Sequence, residues 1–244
     1  MEFSLITPTL GDRVKVKRFL DSIERTAKKK NGIEVLFAVD EGTTEIQKFV
    51  SMQGYSFDVK FYERPVTDNF SDDYYNWLAN RSSGRYIWAC NDDIWFNTQN
   101  WDEKIRKKVI DSGWSIFLVD TKETSRKVIN KGFCCFPLIS RKALIEIGFL
   151  FYPQVRVYPA DKAVYMLFEK VGRIIDAQDI VINSVYVSED SDSRRWKIYN
   201  EDVKSGALSI DMTREVLKLL HAGKNDPGPK RASKITRIIN IIKE

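Results

Sequence analysis

Asn91, Asp92 and Asp93 stand together between a short apolar run and the cluster Ile94-Trp95-Phe96. Two adjacent carboxylates on one turn repel each other unless a cation lies beside or between them, so the pair predicts a divalent ion. Oxygen donors suit magnesium or manganese, ions that keep several waters and are completed by phosphate oxygens of a substrate. A nucleotide diphosphate offers such oxygens. The competing account of any Asp-Asp pair is a solvated acidic turn that holds nothing. Two further polar groups share the placement after an apolar run: Thr7, with Pro8 and Thr9, follows residues 3–6, and Asp40 follows residues 34–39. In open α/β sheets ligands lie outside the carboxyl ends of the strands, so Thr7, Asp40 and Asp92 are expected to converge.

The elements that must position them follow from periodicity. Continuous apolar runs predict buried strands at 3–6 and 34–39, with further strands at 57–63 and 85–89. Between the first two, Val16, Phe19, Leu20, Ile23 and Ala27 recur at helical spacing, with Asp12 as N-cap and Asn31-Gly32 as the stop. Helices are expected at 45–52, 71–80, 101–111, 141–147 and 160–171, and strands at 115–120, 132–139, 173–176 and 183–187. The alternation predicts one α/β, Rossmann-like domain over residues 1–190, with a mixed, mainly parallel central sheet flanked by helices. From Ser188 the chain turns polar, and Asn225-Asp226-Pro227-Gly228-Pro229 is a breaker cluster. Residues 191–244 are expected to form a polar linker and a helical C-terminal extension with Ile235, Ile238, Ile239 and Ile242 on one face among basic residues. That helix suits either an anionic membrane surface, as a peripheral contact, or docking on the domain or a partner. Docking is favoured, because four isoleucines make a small membrane footprint.

Composition bounds the rest. Among 244 residues, 43% are hydrophobic, with 14 Phe, 10 Tyr and 6 Trp, enough to build a core and to exclude extensive disorder. The net charge of +5 gathers in Lys28-Lys29-Lys30 and from Lys224 to Lys243, which makes phosphate-bearing partners plausible. Cys90, Cys134 and Cys135 match neither a disulfide framework nor a metal-ligand spacing, so a reducing, cytoplasmic setting is the expectation. The first residues lack a basic segment followed by an apolar stretch, so no signal peptide is read, and no run of 18 apolar residues occurs.

The order Thr7-Pro8-Thr9, Asp40-Glu41-Gly42, Asn76 and Asn80 before Gly84-Arg85-Tyr86-Ile87, then Asn91-Asp92-Asp93, resembles the family 2 glycosyltransferases of the GT-A fold over roughly residues 3–185. The resemblance implies that Thr7, Pro8, Thr9 and Asp40 hold the base and ribose of a nucleotide-sugar donor. It implies that Asn76 and Asn80, four apart on one helical face, approach the donor with Arg81 near the phosphates. The outward polar face of a surface helix is the alternative. The family's Asp-x-Asp element maps to Asn91-Asp92-Asp93 with Asn in place of the first acid, so Asp93 is the better ligand for Mn2+ or Mg2+ and its partner is Asp92 or Asn91. The resemblance further implies an inverting transfer with Asp161 as catalytic base, a residue that could equally be a helix cap. It also implies an acceptor-side segment at Gly132-Phe133-Cys134-Cys135-Phe136, although a buried strand explains most of those residues. His221 would be a late metal ligand, or simply an exposed residue near a helix end.

The expected partners are therefore a nucleotide-sugar donor, a UDP- or GDP-sugar, and a hydroxyl of a glycan or glycoconjugate, with no nucleic acid. Three other classes suit these residues less well. A nucleic-acid-binding or processing protein would need a more concentrated basic stripe. A nucleotidyltransferase would need a better phosphate loop than Leu10-Gly11-Asp12-Arg13, and a sugar-binding module without catalysis is supported only by Asn91.

Overall fold

The computed structural model describes residues 1–43, 45–124, 133–153, 155–157, 160–184, 197–198 and 200–201. Its elements are β1 (Phe3–Thr9), α1 (Arg13–Thr26), β2 (Ile33–Asp40), α2 (Glu45–Ser51), β3 (Asp58–Arg64), α3 (Trp77–Arg81), β4 (Tyr86–Ala89), β5 (Ile94–Phe96), α4 (Trp101–Ser112), β6 (Leu118–Glu123), β7 (Leu138–Ser140), α5 (Arg141–Ile147), α6 (Ala160–Lys170) and β8 (Ile174–Ser184). All the strands join one sheet in the order β3-β2-β1-β4-β7-β6-β8-β5. β1 to β4 are mutually parallel, β7 runs against β4 and β6, β6 and β8 are parallel, and β5 returns against β8. The expected mixed, mainly parallel sheet is therefore observed.

β1 and β2 are buried along nearly their whole length because helices cover both faces of the sheet, which is why they read as unbroken apolar runs. On one face α1, α2 and α4 pack Val16, Phe19, Leu20, Ile23, Ile46, Val50, Trp101 and Ile105 against Leu5, Val35 and Phe37. On the other, α3, α5 and α6 pack Leu78, Ala79, Ala143, Leu144, Val164 and Phe168 against Ile6, Leu36 and Ile87. Trp101 stacks on Phe96 with centroids 4.8 Å apart and meets Trp88 edge-on at 5.3 Å, all three rings being fully enclosed.

Local signals set most boundaries, and long-range contacts shift the others. Asp12 caps α1 as expected, accepting from Val14 N at 2.9 Å and Lys15 N at 3.2 Å. The helix stops at Thr26, before Asn31-Gly32, because buried Asp102 of α4 takes the N–H groups of Lys28 and Lys29 at 2.8 and 2.9 Å. β7 is shorter than the run 132–139: Pro137 has no N–H to donate, and the strand starts after it. The strand expected at 173–176 and the start of the one expected at 183–187 are one element, β8, with a register shift opposite Thr121/Lys122 that interrupts its pattern, and residues 185–187 lie outside the described residues. β6 lies three residues beyond the expected 115–120 because its partners are the bulged β8 and short β7. Ile94-Trp95-Phe96, expected only as a cluster after the acidic loop, is strand β5. The helix expected at 71–80 is divided into a π-helical turn, Phe70–Asn76, and α3.

The amino edge of the sheet is held by a buried charge. Glu34, with 1% of its side chain exposed, accepts from Ser4 Oγ at 2.6 Å, Ser83 N at 2.6 Å, Ser83 Oγ at 2.8 Å and Lys60 Nζ at 3.0 Å. Burial alone would raise its carboxyl, but these donors together hold it at about 2. The result ties β1, β2, β3 and the turn before β4 at the end opposite the candidate site.

Candidate functional site

The site begins where β4 leaves β1. Their pairing ends at Ile6↔Ala89, with Cys90 N still donating to Ile6 O at 2.9 Å. Pro8, which cannot donate to a neighbour on either side, occupies the stretch of β1 beyond that divergence. The two parallel strands diverge there at their carboxyl ends, and the 91–93 loop returns to β1 through Thr9.

Hydrogen bonds set each acid in that loop. Thr9 is 6% exposed and donates its hydroxyl to Asp92 Oδ2 at 2.5 Å, while accepting from Gly11 N at 3.1 Å. Asp92 is itself 8% exposed. The Tyr75 hydroxyl reaches Asn91 Oδ1 at 2.7 Å and the Cys90 carbonyl at 3.0 Å. Asp93 is half-buried, and its carbonyl accepts from Arg18 at 3.2 Å; the Arg18 guanidinium lies 4.6 Å from the Trp95 ring centre. At the end of β2, Tyr74 donates to Asp40 Oδ1. The π-helical turn thus sends two consecutive tyrosines to two different strand ends. Sequence reading noted the aromatics of this segment but not their hydroxyl partners, which depend on the π phase.

The remaining predicted residues are distributed as follows. Thr7 lies inside β1 rather than in a loop, is fully buried, and its Oγ1 has no hydrogen-bond partner among the described residues. Asn76 is buried and spent internally: its Nδ2 donates to Phe151 O at 2.7 Å, and its Oδ1 accepts from Leu150 N and Phe151 N, both at 2.9 Å. Asn80 is exposed. The two do not share one face toward a ligand, because the π turn ends at Asn76. Arg81 lies with its guanidinium 3.5 Å from the Trp77 ring centre, and Arg64 packs on the same indole at 4.4 Å. Asp161 is in the first turn of α6, part-exposed, with Oδ1 accepting from Lys162 N at 2.8 Å. It is inside the helix and not its cap. His221, the basic extension and most of the polar linker lie outside the described residues.

Beside Asp40, a cavity of about 280 Å³ opens at the ends of β2 and β3, lined by Val39, Thr43, Gln47, Tyr62, Glu63 and Trp77. Among the described residues no three His, Cys, Asp or Glu side chains gather closely enough to hold a metal by themselves. The donor set fits instead an ion held by one or two carboxylates and completed by phosphate and water. One acid that sequence reading missed is Asp120 on β6, whose carboxyl burial pushes up to about 6. No described helix is long and apolar enough to cross a membrane.

No protein-family model and no curated protein sequence matches the chain. Solved structures match it along nearly its full length. TarS 1-349 of S. aureus in complex with UDP-GlcNAc superposes with a TM-score of 0.68 at 14% identity, covering 99% of this chain and 71% of that one. The chain spans 43% of the longer TarS structure. The mannosyltransferase PcManGT of Pyrobaculum calidifontis, in complex with GDP-Man and Mn2+, gives 0.63 at 12% identity, covering 99% and 86%. GalNAc-T7 with UDP, GalNAc and Mn2+ gives 0.63 at 11% identity, covering 98% and 54%. At these identities the likeness is one of fold, and the fold of this chain is that of the GT-A glycosyltransferases.

Proposed function

We propose that the protein is a metal-dependent glycosyltransferase that moves a sugar from a UDP- or GDP-sugar to a hydroxyl of a glycan or glycoconjugate, with inversion. The observation that carries this reading is the acidic loop at the point where β4 leaves β1, held by Thr9 and Tyr75. The neighbours of the same fold, solved with UDP-GlcNAc or with GDP-Man and Mn2+, support it.

The base would occupy the cavity beside Asp40, with Trp77 as one wall. Asp40, oriented by Tyr74, would accept from the ribose hydroxyls. Asp93, with Asp92 beside it, would hold Mn2+ or Mg2+, which when bound neutralises the departing diphosphate. Arg81 and Arg64 add positive charge on the Trp77 side. The acceptor oxygen attacks the anomeric carbon, the carbon–oxygen bond to the diphosphate breaks with its electron pair leaving on that group, and Asp161 takes the acceptor proton. Asp161 lies in the first turn of α6, where a carboxylate meets the positive end of the helix dipole.

Calorimetric titration of UDP, GDP, CDP and dTDP and of UDP-sugars, with and without manganese, tests the reading. Manganese-dependent binding of one nucleotide, lost in Asp93→Ala, is expected. Failure of all of them to bind the wild type refutes it and favours a nucleic-acid partner.

A further inference from the structure

The cavity beside Asp40 is aromatic on one side and polar on the other. Glu63 is two residues beyond Phe61 on β3, so it shares the sheet face on which Phe61 stacks on Phe37 at 4.9 Å, the face covered by α2. Tyr62 points to the opposite face and meets Trp77 edge-on with ring centres 5.5 Å apart. Glu63, Tyr62, Trp77 and Gln47 of α2 all line the same space of about 280 Å³, which therefore wraps the outer edge of β3.

The cations nearest to Glu63 along its strand are committed elsewhere. Lys60 donates to Glu34 at 3.0 Å, and Arg64 lies on the Trp77 indole with its Nε donating to the Asp73 carbonyl at 3.2 Å. Glu63 and Gln47 are exposed, and among the described residues neither side chain makes a hydrogen bond or an ion pair. Glu63 is in register with Val39, the residue before Asp40. One strand spacing and one residue put the Cα atoms of Glu63 and Asp40 roughly 6 Å apart, so one nucleoside can set its ribose hydroxyls on Asp40 and the edge of its base on Glu63.

We infer that the base is guanine, read by Glu63, and that the donor is a GDP-sugar; the inference rests on the glycosyltransferase reading above. Guanine carries N1–H and its 2-amino group side by side, two donors that match the two oxygens of one carboxylate in a paired, charge-assisted contact. Uracil and thymine present a single N–H between two carbonyls, so a facing carboxylate gains one bond and sets its other oxygen against a carbonyl. Cytosine and adenine place an acceptor nitrogen beside the amino group, with the same repulsion. Gln47 supplies an amide N–H for guanine O6, and Tyr62 and Trp77 offer the rings an apolar wall. A site built around two donors discriminates against bases that lack them, because the carboxylate is then left facing the base without its partners.

Calorimetry on the full chain with manganese compares GDP, inosine diphosphate and UDP; inosine diphosphate keeps N1–H and lacks the 2-amino group. Wild type is expected to bind GDP about tenfold more tightly than inosine diphosphate and about a hundredfold more tightly than UDP, each charge-assisted hydrogen bond corresponding to about a factor of ten. Glu63→Gln is expected to remove most of the difference between GDP and inosine diphosphate and to leave UDP affinity and the melting temperature unchanged. Gln47→Ala is expected to weaken GDP and inosine diphosphate alike, since both carry O6. UDP binding as tightly as GDP, or a GDP preference over inosine diphosphate that Glu63→Gln leaves intact, overturns the guanine assignment while the glycosyltransferase reading stands. Absence of binding by every nucleoside diphosphate overturns that reading and this inference with it.

Discussion

Thr9→Val tests the bond that orders the acidic loop while keeping the shape of the side chain. In the wild type the Thr9 hydroxyl donates at 2.5 Å to Asp92 and accepts at 3.1 Å from Gly11 N, and both Thr9 and Asp92 are less than a tenth exposed. A hydrogen bond to a charged group contributes about 1.5–3 kcal/mol, and leaving Gly11 N without its acceptor adds about 1 kcal/mol. The expected loss is therefore about 3 kcal/mol, which for a chain of this size lowers Tm by roughly 6 to 12 °C. Thr9→Ser keeps the hydroxyl and gives up one buried methyl, a cost of about 1 kcal/mol. Thermal denaturation of the three proteins with and without manganese and nucleotide separates the effects. Thr9→Val should fall well below Thr9→Ser, and its nucleotide-dependent rise in Tm should shrink. Equal melting of the two variants, with an undiminished rise, would refute the view that this hydroxyl holds the loop in its working shape.

Glu34→Gln should be less stable than wild type by about 2 kcal/mol at pH 7. The folded carboxyl is held at about 2, below its unfolded value, so its contribution is complete above about pH 5 and is lost as pH falls toward 2. Urea unfolding across that range should show the two proteins converging at acid pH, and a constant gap would contradict the assignment. Gly84→Ala would bring a Cβ within 2.4 Å of Ser4 Oγ and 2.6 Å of Ser4 N, where backbone prevents relief. A destabilisation of at least about 2 kcal/mol is expected from overpacking, read from the shift of the urea midpoint.

The position of the acidic loop was legible because its residues are consecutive and lie after a strand. Asp40 ends β2, and the 91–93 loop follows β4, as the apolar runs and the polar residues closing them implied. The limits of that reading are equally specific. Thr7 looked like a loop residue because a Thr-Pro-Thr sequence usually ends a strand, yet β1 continues to Thr9 on its pairing with β2. Asn76 looked like a ligand-facing amide because helical spacing was assumed, and a π turn with the 150–151 backbone against it turned the amide inward. Asp120 carried no sequence signal at all, since its environment is made by Cys134, Tyr165 and Asp176 from three separate segments.

The sequence by itself determined the α/β alternation, the parallel core strands β1 to β4, the caps of α1, and an acidic loop at a strand end. Each of these follows from side chains within a few residues of one another, through periodicity, capping and turn chemistry. Only the tertiary structure decided which strands of the second half pair, where Thr9, Tyr74 and Tyr75 send their hydroxyls, and which carboxyl groups lose their water. Those outcomes depend on pairings across tens of residues, such as Thr9 with Asp92 and Asp120 with Asp176, and burial is a property of the packed layers rather than of any local run.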